Sequence, residues 1–272
     1  MKRALFGNCS YQGLVDEAGP IDWLCWQRFD SSTVFGALLD REKGGFFSVS
    51  PPGEFRSKQD YLPNTNIVRT RFETERGAFE VVDFAPRFRQ YERHFRPNLL
   101  LRRVRRLEGE PQVLIRCRPT YDYGRIGPEV RRGSNHLSYA IPGELLRLTA
   151  NVPLSYVAEE RPFLLEEDAW LALSFGEPFE MPLIGTATSY FQSTRDYWER
   201  WVKHTAVPGR FQKEVIRSAL ALKLHMYQDT GAITAATTTS IPEWPGSGRN
   251  WDYRYCWIRD TYFTLRAMRR IN

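Results

Sequence analysis

The chain has 272 residues, 42% hydrophobic and 26% charged, which excludes a disordered chain and leaves room for one large or two smaller packed domains. Aromatic residues reach 14%, with eight Trp, a level that suits a large β core or a binder of flat ligands such as sugars or bases. The net charge of +6 comes mostly from Arg spread along the whole chain, which argues against nucleic acid as a partner.

The densest basic run, Arg102-Arg103-Val104-Arg105-Arg106, lies in a strand-like segment and reads as a solvated sheet face. The four Cys, at 9, 25, 117 and 256, form no C-x-x-C and have no His at a ligand spacing, so no metal is expected and buried free thiols are. No apolar run approaches the roughly 18 residues needed to cross a bilayer, so no membrane partner is expected. Met1-Lys2-Arg3 is followed by only Ala4-Leu5-Phe6 before Gly7, too little for a secretory leader. A reducing, cytoplasmic setting is therefore expected.

In chain order, residues 10–15 and 21–26 are extended runs around the turn cluster Asp16-Glu17-Ala18-Gly19-Pro20. Residues 32–40 place Phe35, Leu38 and Leu39 at helical spacing and predict a short helix. Alternation over 66–74, a Glu75-Arg76-Gly77 turn and the run 79–84 predict a hairpin. Residues 99–107 and 112–118, about Glu108-Gly109-Glu110, predict another, and 137–141, 145–152 and 169–175 continue the series. Strands at this spacing predict an antiparallel β-sandwich over 1–186 rather than a parallel sheet.

The period then changes. Over 188–203 the apolar residues Tyr190, Phe191, Tyr197, Trp198, Trp201 and Val202 fall at helical spacing, and 187–209 reads as a helical linker ended by Pro208-Gly209. A second helix is expected over about 210–228, apolar over so much of its surface that it must lie between other elements, with Gly231 as its C-terminal cap. A long loop, 232–260, follows; it carries Trp244, Trp251, Tyr253, Tyr255 and Trp257 among Arg249, Asp252, Arg254, Arg259 and Asp260. Long loops in compact chains are usually functional. Helical spacing resumes at Thr261.

Two segments carry a resemblance. The first runs Gly7-Asn8-Cys9-Ser10, Gly13-Leu14-Val15-Asp16 and Gly19-Pro20-Ile21-Asp22-Trp23-Leu24-Cys25-Trp26, then Arg28-Phe29-Asp30-Ser31 and Phe35-Gly36-Ala37-Leu38-Leu39-Asp40. It resembles the opening of bacterial members of glycoside hydrolase family 15, the glucoamylase, glucodextranase and trehalase-like enzymes. The second runs Gly231-Ala232-Ile233-Thr234-Ala235-Ala236, Thr238-Thr239-Ser240-Ile241-Pro242-Glu243 and Arg249-Asn250-Trp251-Asp252-Tyr253-Arg254-Tyr255-Cys256-Trp257-Ile258-Arg259-Asp260. It resembles the first active-site loop of the same family. The implied architecture is a β-rich N-terminal sandwich, a helical linker, and from 210 to 272 the start of an (α/α)6 barrel, truncated here.

The resemblance implies an inverting, exo-acting hydrolase of α-glucosidic bonds in maltooligosaccharide, dextran-like chains or trehalose, with no organic cofactor. It places Arg259 and Asp260 on the sugar and Tyr253 and Trp257 in the pocket wall. The chemistry agrees: Arg offers a fork of donors, Asp accepts, and Tyr and Trp present flat apolar faces with a polar edge. The competing reading makes Arg259 and Asp260 a cap of the next helix and the aromatics packing material. Inverting enzymes need two carboxyl groups roughly 6.5–9.5 Å apart. In the family both are Glu on later loops, expected beyond Asn272, so no catalytic residue is assigned here. Glu243 reads as a loop anchor. The remaining barrel would need on the order of 170 more residues. The chain alone is therefore expected not to hydrolyse glycosides, and its unpaired helices to favour self-association. The alternatives are a non-catalytic carbohydrate-binding or structural sandwich and, further off, a basic nucleic-acid binder.

Overall fold

The structure, a computed structural model, describes residues 3–179, 181–242, 244 and 246–271. Glu243 lies outside the described residues.

Strands β1 (Arg3–Gly7), β2 (Gln12–Asp16) and β3 (Pro20–Cys25) form an antiparallel meander, onto which β4 (Thr33–Phe35) and β5 (Phe46–Ser50) both pair through β3. β6 (Arg56–Tyr61), β7 (Val68–Thr74) and β8 (Gly77–Phe84) form a second meander, followed by a small ribbon of β9 (Phe88–Gln90) and β10 (Arg93–Phe95). β11 (Leu99–Gly109) returns to β8, and β12 (Gln112–Arg118) crosses over to pair with β5. β13 (Glu129–Arg132), β14 (His136–Ile141) and β15 (Glu144–Ala150) continue the second sheet. After a short helix α1 (Leu154–Ala158), β16 (Phe163–Leu164) joins β12, and β17 (Ala169–Phe175) slots between β15 and β11.

The result is two antiparallel sheets, ordered β1-β2-β3-β5-β12-β16 and β13-β14-β15-β17-β11-β8-β7-β6. Their facing side chains, among them Phe6, Ile21, Phe47, Phe79, Leu100 and Leu173, fill one apolar core. β8 and β17 in the second sheet are buried along nearly their whole length because both of their faces are covered. Val81, Leu100 and Leu171 point into the sandwich, while their neighbours Val82, Leu101 and Trp170 pack outward.

That outer face receives α2 (Leu183–Lys203) through Ala187, Tyr190 and Phe191. The far end of α2 meets α3 (Gln212–Leu224) in a third cluster, where Trp198 and Val202 pack on Leu220, Leu224 and Cys9. The last helix is α4 (Ile258–Arg269). No helix among the described residues is long and apolar enough to cross a membrane.

Three expectations are corrected. Residues 32–40 do not form a helix. Thr33 and Val34 are β-branched and suit an extended chain, so β4 pairs with β3 through Leu24 and Phe35, and only a single turn follows at Gly36–Asp40. Gly231 does not cap the second helix, which ends at Leu224. Gln12 Nε2 donates to the Leu224 carbonyl at 2.7 Å and Cys9 Sγ to that of Lys223 at 3.3 Å, so the sandwich itself satisfies the last carbonyls of α3. Gly231, at φ +74°, instead closes a turn by donating to the Tyr227 carbonyl. The basic run in β11 is not simply a solvated face. Arg102 is fully buried beside Asp83 and donates to the carbonyls of Gly19 and Phe47, tying the two sheets together.

Candidate functional site

The segment after α3 is not a free loop. It turns back on itself as an irregular ribbon: Thr234 pairs with Cys256 and Thr239 with Asp252. Ala235, Ala236 and Ser240 donate their N–H groups to the carbonyls of Tyr255, Tyr253 and Trp251. The backbone polar groups of an aromatic-rich segment are thereby paired, which leaves its side chains to project.

The ribbon is held by residues of the N-terminal motif. Trp23 Nε1 donates to the Thr237 carbonyl at 2.9 Å, and Gln228 N–H to the Cys9 carbonyl at 2.9 Å. Arg254 is the main latch. Its guanidinium is almost wholly buried and reaches Ser31 O at 2.7 Å, Tyr123 Oη at 2.7 Å and Asp252 Oδ2 at 2.7 Å, with Cys25 Sγ at 3.5 Å. Two stretches of chain more than two hundred residues apart are thus fixed against each other by one fork of donors. Burial opposes ionisation of Asp252, but its bonds to Arg254 more than offset that and hold the carboxyl below its ordinary range. Burial pushes the Cys25 thiol up to about 11, so it stays protonated beside the latch.

The four predicted sugar-contacting residues fall in two pairs. The rings of Tyr253 and Trp257 lie 5.7 Å apart at 36°, and Trp257 is pinned by its Nε1 donating to the Asp252 carbonyl at 3.1 Å. Trp251 meets Trp257 edge-on at 6.2 Å. Arg259 and Asp260 open α4, with Arg259 Nη2 3.5 Å from Asp260 Oδ2. Asp260 sits in the first helical turn, where a carboxylate suits the helix dipole. It does not cap the helix: Trp257 holds the N-cap position with no side-chain bond. Asp260 Oδ2 is screened from solvent and accepts no hydrogen bond among the described residues. The best-formed depressions among the described residues are not lined by any of the four.

Sequence reasoning passed over Arg254 as a latch and did not connect the N-terminal motif to the ribbon. The signal available was an Arg flanked by aromatics two positions after an Asp; that it would turn inward rests on partners at Ser31 and Tyr123, which spacing cannot show. Cys256 is a further correction: three of the four cysteines are buried, but Cys256 is exposed because the ribbon's pairing turns it outward.

The comparisons with known proteins fall on these same two regions. A family model described as trehalase-like, N-terminal, matches residues 2–150, and one for glycosyl hydrolases family 15 matches residues 209–271. The chain belongs to the trehalase-like N-terminal family. It is 34% identical to a trehalase of Mycobacterium tuberculosis over 93% of this chain and 41% of that protein. It is 30% identical to a trehalase of Thermoplasma volcanium, covering 97% of this chain and 44% of that protein. Trehalase 1 of Sulfolobus acidocaldarius is 32% identical over 96% and 44% respectively. This trehalase-like chain therefore spans less than half the length of the curated relatives it matches. The ribbon and α4 lie within the family 15 match, and the residues that grip the ribbon, Trp23, Cys25 and Ser31, lie within the N-terminal one.

Proposed function

We propose that residues 1–272 carry the front part of an inverting glycoside hydrolase acting on α-glucosidic bonds, with trehalose as its substrate, and that the ribbon and the start of α4 hold one sugar ring. In this reading residues 1–186 are the sandwich domain, 187–209 a helical linker, and α3 and α4 the first helices of an (α/α)6 barrel. The observation that carries the sugar reading is the Asp260 carboxylate, whose screened Oδ2 accepts no hydrogen bond among the described residues and has Arg259 Nη2 only at 3.5 Å, three residues along the chain from the Trp257 ring that packs on Tyr253. A screened acceptor with only a long ion-pair contact is under-satisfied, and a sugar hydroxyl would complete it. Arg259, largely exposed beside it, donates to an adjacent hydroxyl, and the paired rings take the C–H face of the pyranose. The trehalase names of the relatives favour an α,α-linked disaccharide.

The chain of 272 residues binds sugar in this reading but does not cleave it, because the acid and base lie on later barrel loops. Calorimetric titration with trehalose tests the first half. Wild type is expected to bind saturably, and Arg259→Ala to weaken binding about tenfold or more. Release of glucose from trehalose or maltose by the purified chain would overturn the second half. A non-catalytic sugar-binding module is the second reading; it would be favoured if sugar binding persisted undiminished in Arg259→Ala.

A further inference from the structure

Three consecutive residues after β12, Asp122, Tyr123 and Gly124, have φ of +49°, +56° and +84°. A tyrosine rarely adopts this left-handed backbone, and it persists only where its surroundings over-determine it. The surroundings here do so. Tyr121 and Ile126 exchange backbone hydrogen bonds at 2.8 and 3.1 Å across the turn, and the Thr120 N–H donates to the Val34 carbonyl at 2.9 Å. Gly124 lies so close to Lys43 that a Cβ there would come within 2.5 Å of the Lys43 carbonyl oxygen. The turn is thus fastened to the sandwich, and it presents the Tyr123 hydroxyl to Arg254 Nη2 at 2.7 Å.

From Arg254 the path to the candidate sugar wall is short. Its backbone N–H and its Nε both donate to Asp252 Oδ1 at 3.0 Å, and its Nη2 donates to Oδ2 at 2.7 Å. The Asp252 carbonyl in turn accepts from Trp257 Nε1 at 3.1 Å. That carbonyl belongs to the peptide unit that leads into Tyr253. Both rings of the wall therefore hang from one peptide unit, and the Arg254 fork sets how that unit lies against the sandwich. Each donor of the fork is already used: Nε by Asp252, Nη1 by the Ser31 carbonyl and Cys25 Sγ, Nη2 by Tyr123 and Asp252. Arg254 has no donor left for a ligand, so it can act on one only through position.

We infer that Tyr123 and Arg254 are positioning residues: the left-handed turn of the sandwich holds the Arg254 fork, and the fork sets the orientation of the Tyr253 and Trp257 rings that take the sugar face. The inference rests on the sugar-binding reading above. It goes further by making the sandwich a determinant of sugar affinity through a residue that gives nothing to the ligand.

The test uses the full 272-residue chain, with trehalose as the probe. Calorimetric binding is read alongside the indole N–H signal of Trp257 in nuclear magnetic resonance spectra. Tyr123→Phe keeps the ring and removes only the acceptor. It is expected to shift the Trp257 signal, to leave those of Trp170 and Trp198 in their packed clusters unmoved, and to weaken trehalose binding about threefold to tenfold. Arg254→Lys keeps the charge but replaces the fork by a point charge that cannot engage Ser31, Tyr123 and Asp252 together. It is expected to weaken binding about tenfold or more. Arg118→Ala breaks an exposed ion pair with Glu160 elsewhere on the sandwich; it controls for general loosening and is expected to change neither readout. The inference requires both changes in Tyr123→Phe. If wild type binds trehalose and that variant keeps either the wild-type affinity or the wild-type Trp257 signal, the inference falls and the sugar reading stands. If wild type binds no trehalose, the sugar reading falls and the inference with it.

Discussion

Three Arg–Asp pairs lie along a gradient of burial from the sandwich core to the C-terminal face. Arg102 and Asp83 are fully buried between the sheets, with side chains 0% exposed on both partners. Arg254 and Asp252 are 3% and 31% exposed at the seam between sandwich and ribbon. Arg259 and Asp260 are 71% and 36% exposed at the start of α4. The first pair has its remaining capacity filled by the Phe47 and Gly19 carbonyls, and the second by Ser31 and Tyr123. Only in the third does a screened carboxylate oxygen accept no hydrogen bond among the described residues. The same residue pair therefore serves as a tie and a latch and, in the proposed reading, as a ligand contact, according to how much of its hydrogen-bonding capacity the fold consumes.

The largest effect expected from this gradient is at its buried end. Arg102→Ala leaves the Asp83 carboxyl in the core without its partner and the Gly19 and Phe47 carbonyls without a donor. Burial already pushes the Asp83 carboxyl above its ordinary range against the pull of Arg102. The loss is expected to be about 3–5 kcal/mol, read by chemical denaturation. Arg254→Ala comes next, at about 1–3 kcal/mol, because Asp252 can regain solvent. Its signature is local: hydrogen exchange is expected to speed up over 233–257 while the central strands β8 and β11 keep their protection. If both variants lost equal stability, or if exchange rose uniformly, the latch would not be distinct from the core.

His225 allows the seam to be probed by pH. It follows α3 and is partly buried, with Nδ1 2.9 Å from the Ala221 carbonyl and Nε2 3.3 Å from Thr237 Oγ1. A carbonyl only accepts, so Nδ1 carries the proton and Nε2 accepts from the Thr237 hydroxyl. Burial lowers the pKa of the ring below its ordinary value of 6.5. The unfolded chain therefore binds this proton at a higher pH than the folded one. The resulting stability is fully present above about pH 6.5 and is lost as pH falls below it. Melting curves of wild type and His225→Gln are expected to run parallel at about pH 8 and to converge toward about pH 5. A constant gap across that range would mean that His225 does not titrate on unfolding.

How legible these regions were from sequence follows the same divide. β17, buried on both faces along its whole length, is an apolar run in the sequence, and the reading over 169–175 matches it to the residue. β6 escapes a reading by alternation because Arg-Ser-Lys-Gln-Asp-Tyr carries no apolar period; it is an edge strand with exposed polar side chains, and among the described residues its one sheet neighbour is β7. The 188–203 helix was found but starts earlier, at Leu183, because Pro182 and not a change of hydrophobic period marks its entry. In the candidate site, the aromatics and the Arg259–Asp260 pair were visible by kind and by resemblance. The latch was not, since its partners come from β3, the turn after it and the segment after β12. Contacts between distant stretches of chain leave no periodicity to read.

The smallest stability effect is expected on α4, where the comparison is sharpest. Ile258, Tyr262 and Leu265 follow the i, i+4, i+7 spacing of one helical face and are 91%, 55% and 54% exposed, and Phe263 beside them is 59% exposed. Met268 alone among the buried residues anchors the helix. Such a stripe contributes almost nothing to the stability of the isolated chain, because its apolar area is not removed from water. Phe263→Lys is therefore expected to change unfolding stability by less than about 0.5 kcal/mol. Its effect should appear in association instead, since contiguous exposed apolar surface drives proteins together. Sedimentation velocity is expected to show concentration-dependent self-association of wild type that Phe263→Lys reduces, with trehalose affinity unchanged. A variant that unfolded markedly more easily would show that α4 packs against the body of the chain, and the contrast between a buried core and a bare helical face would then fail.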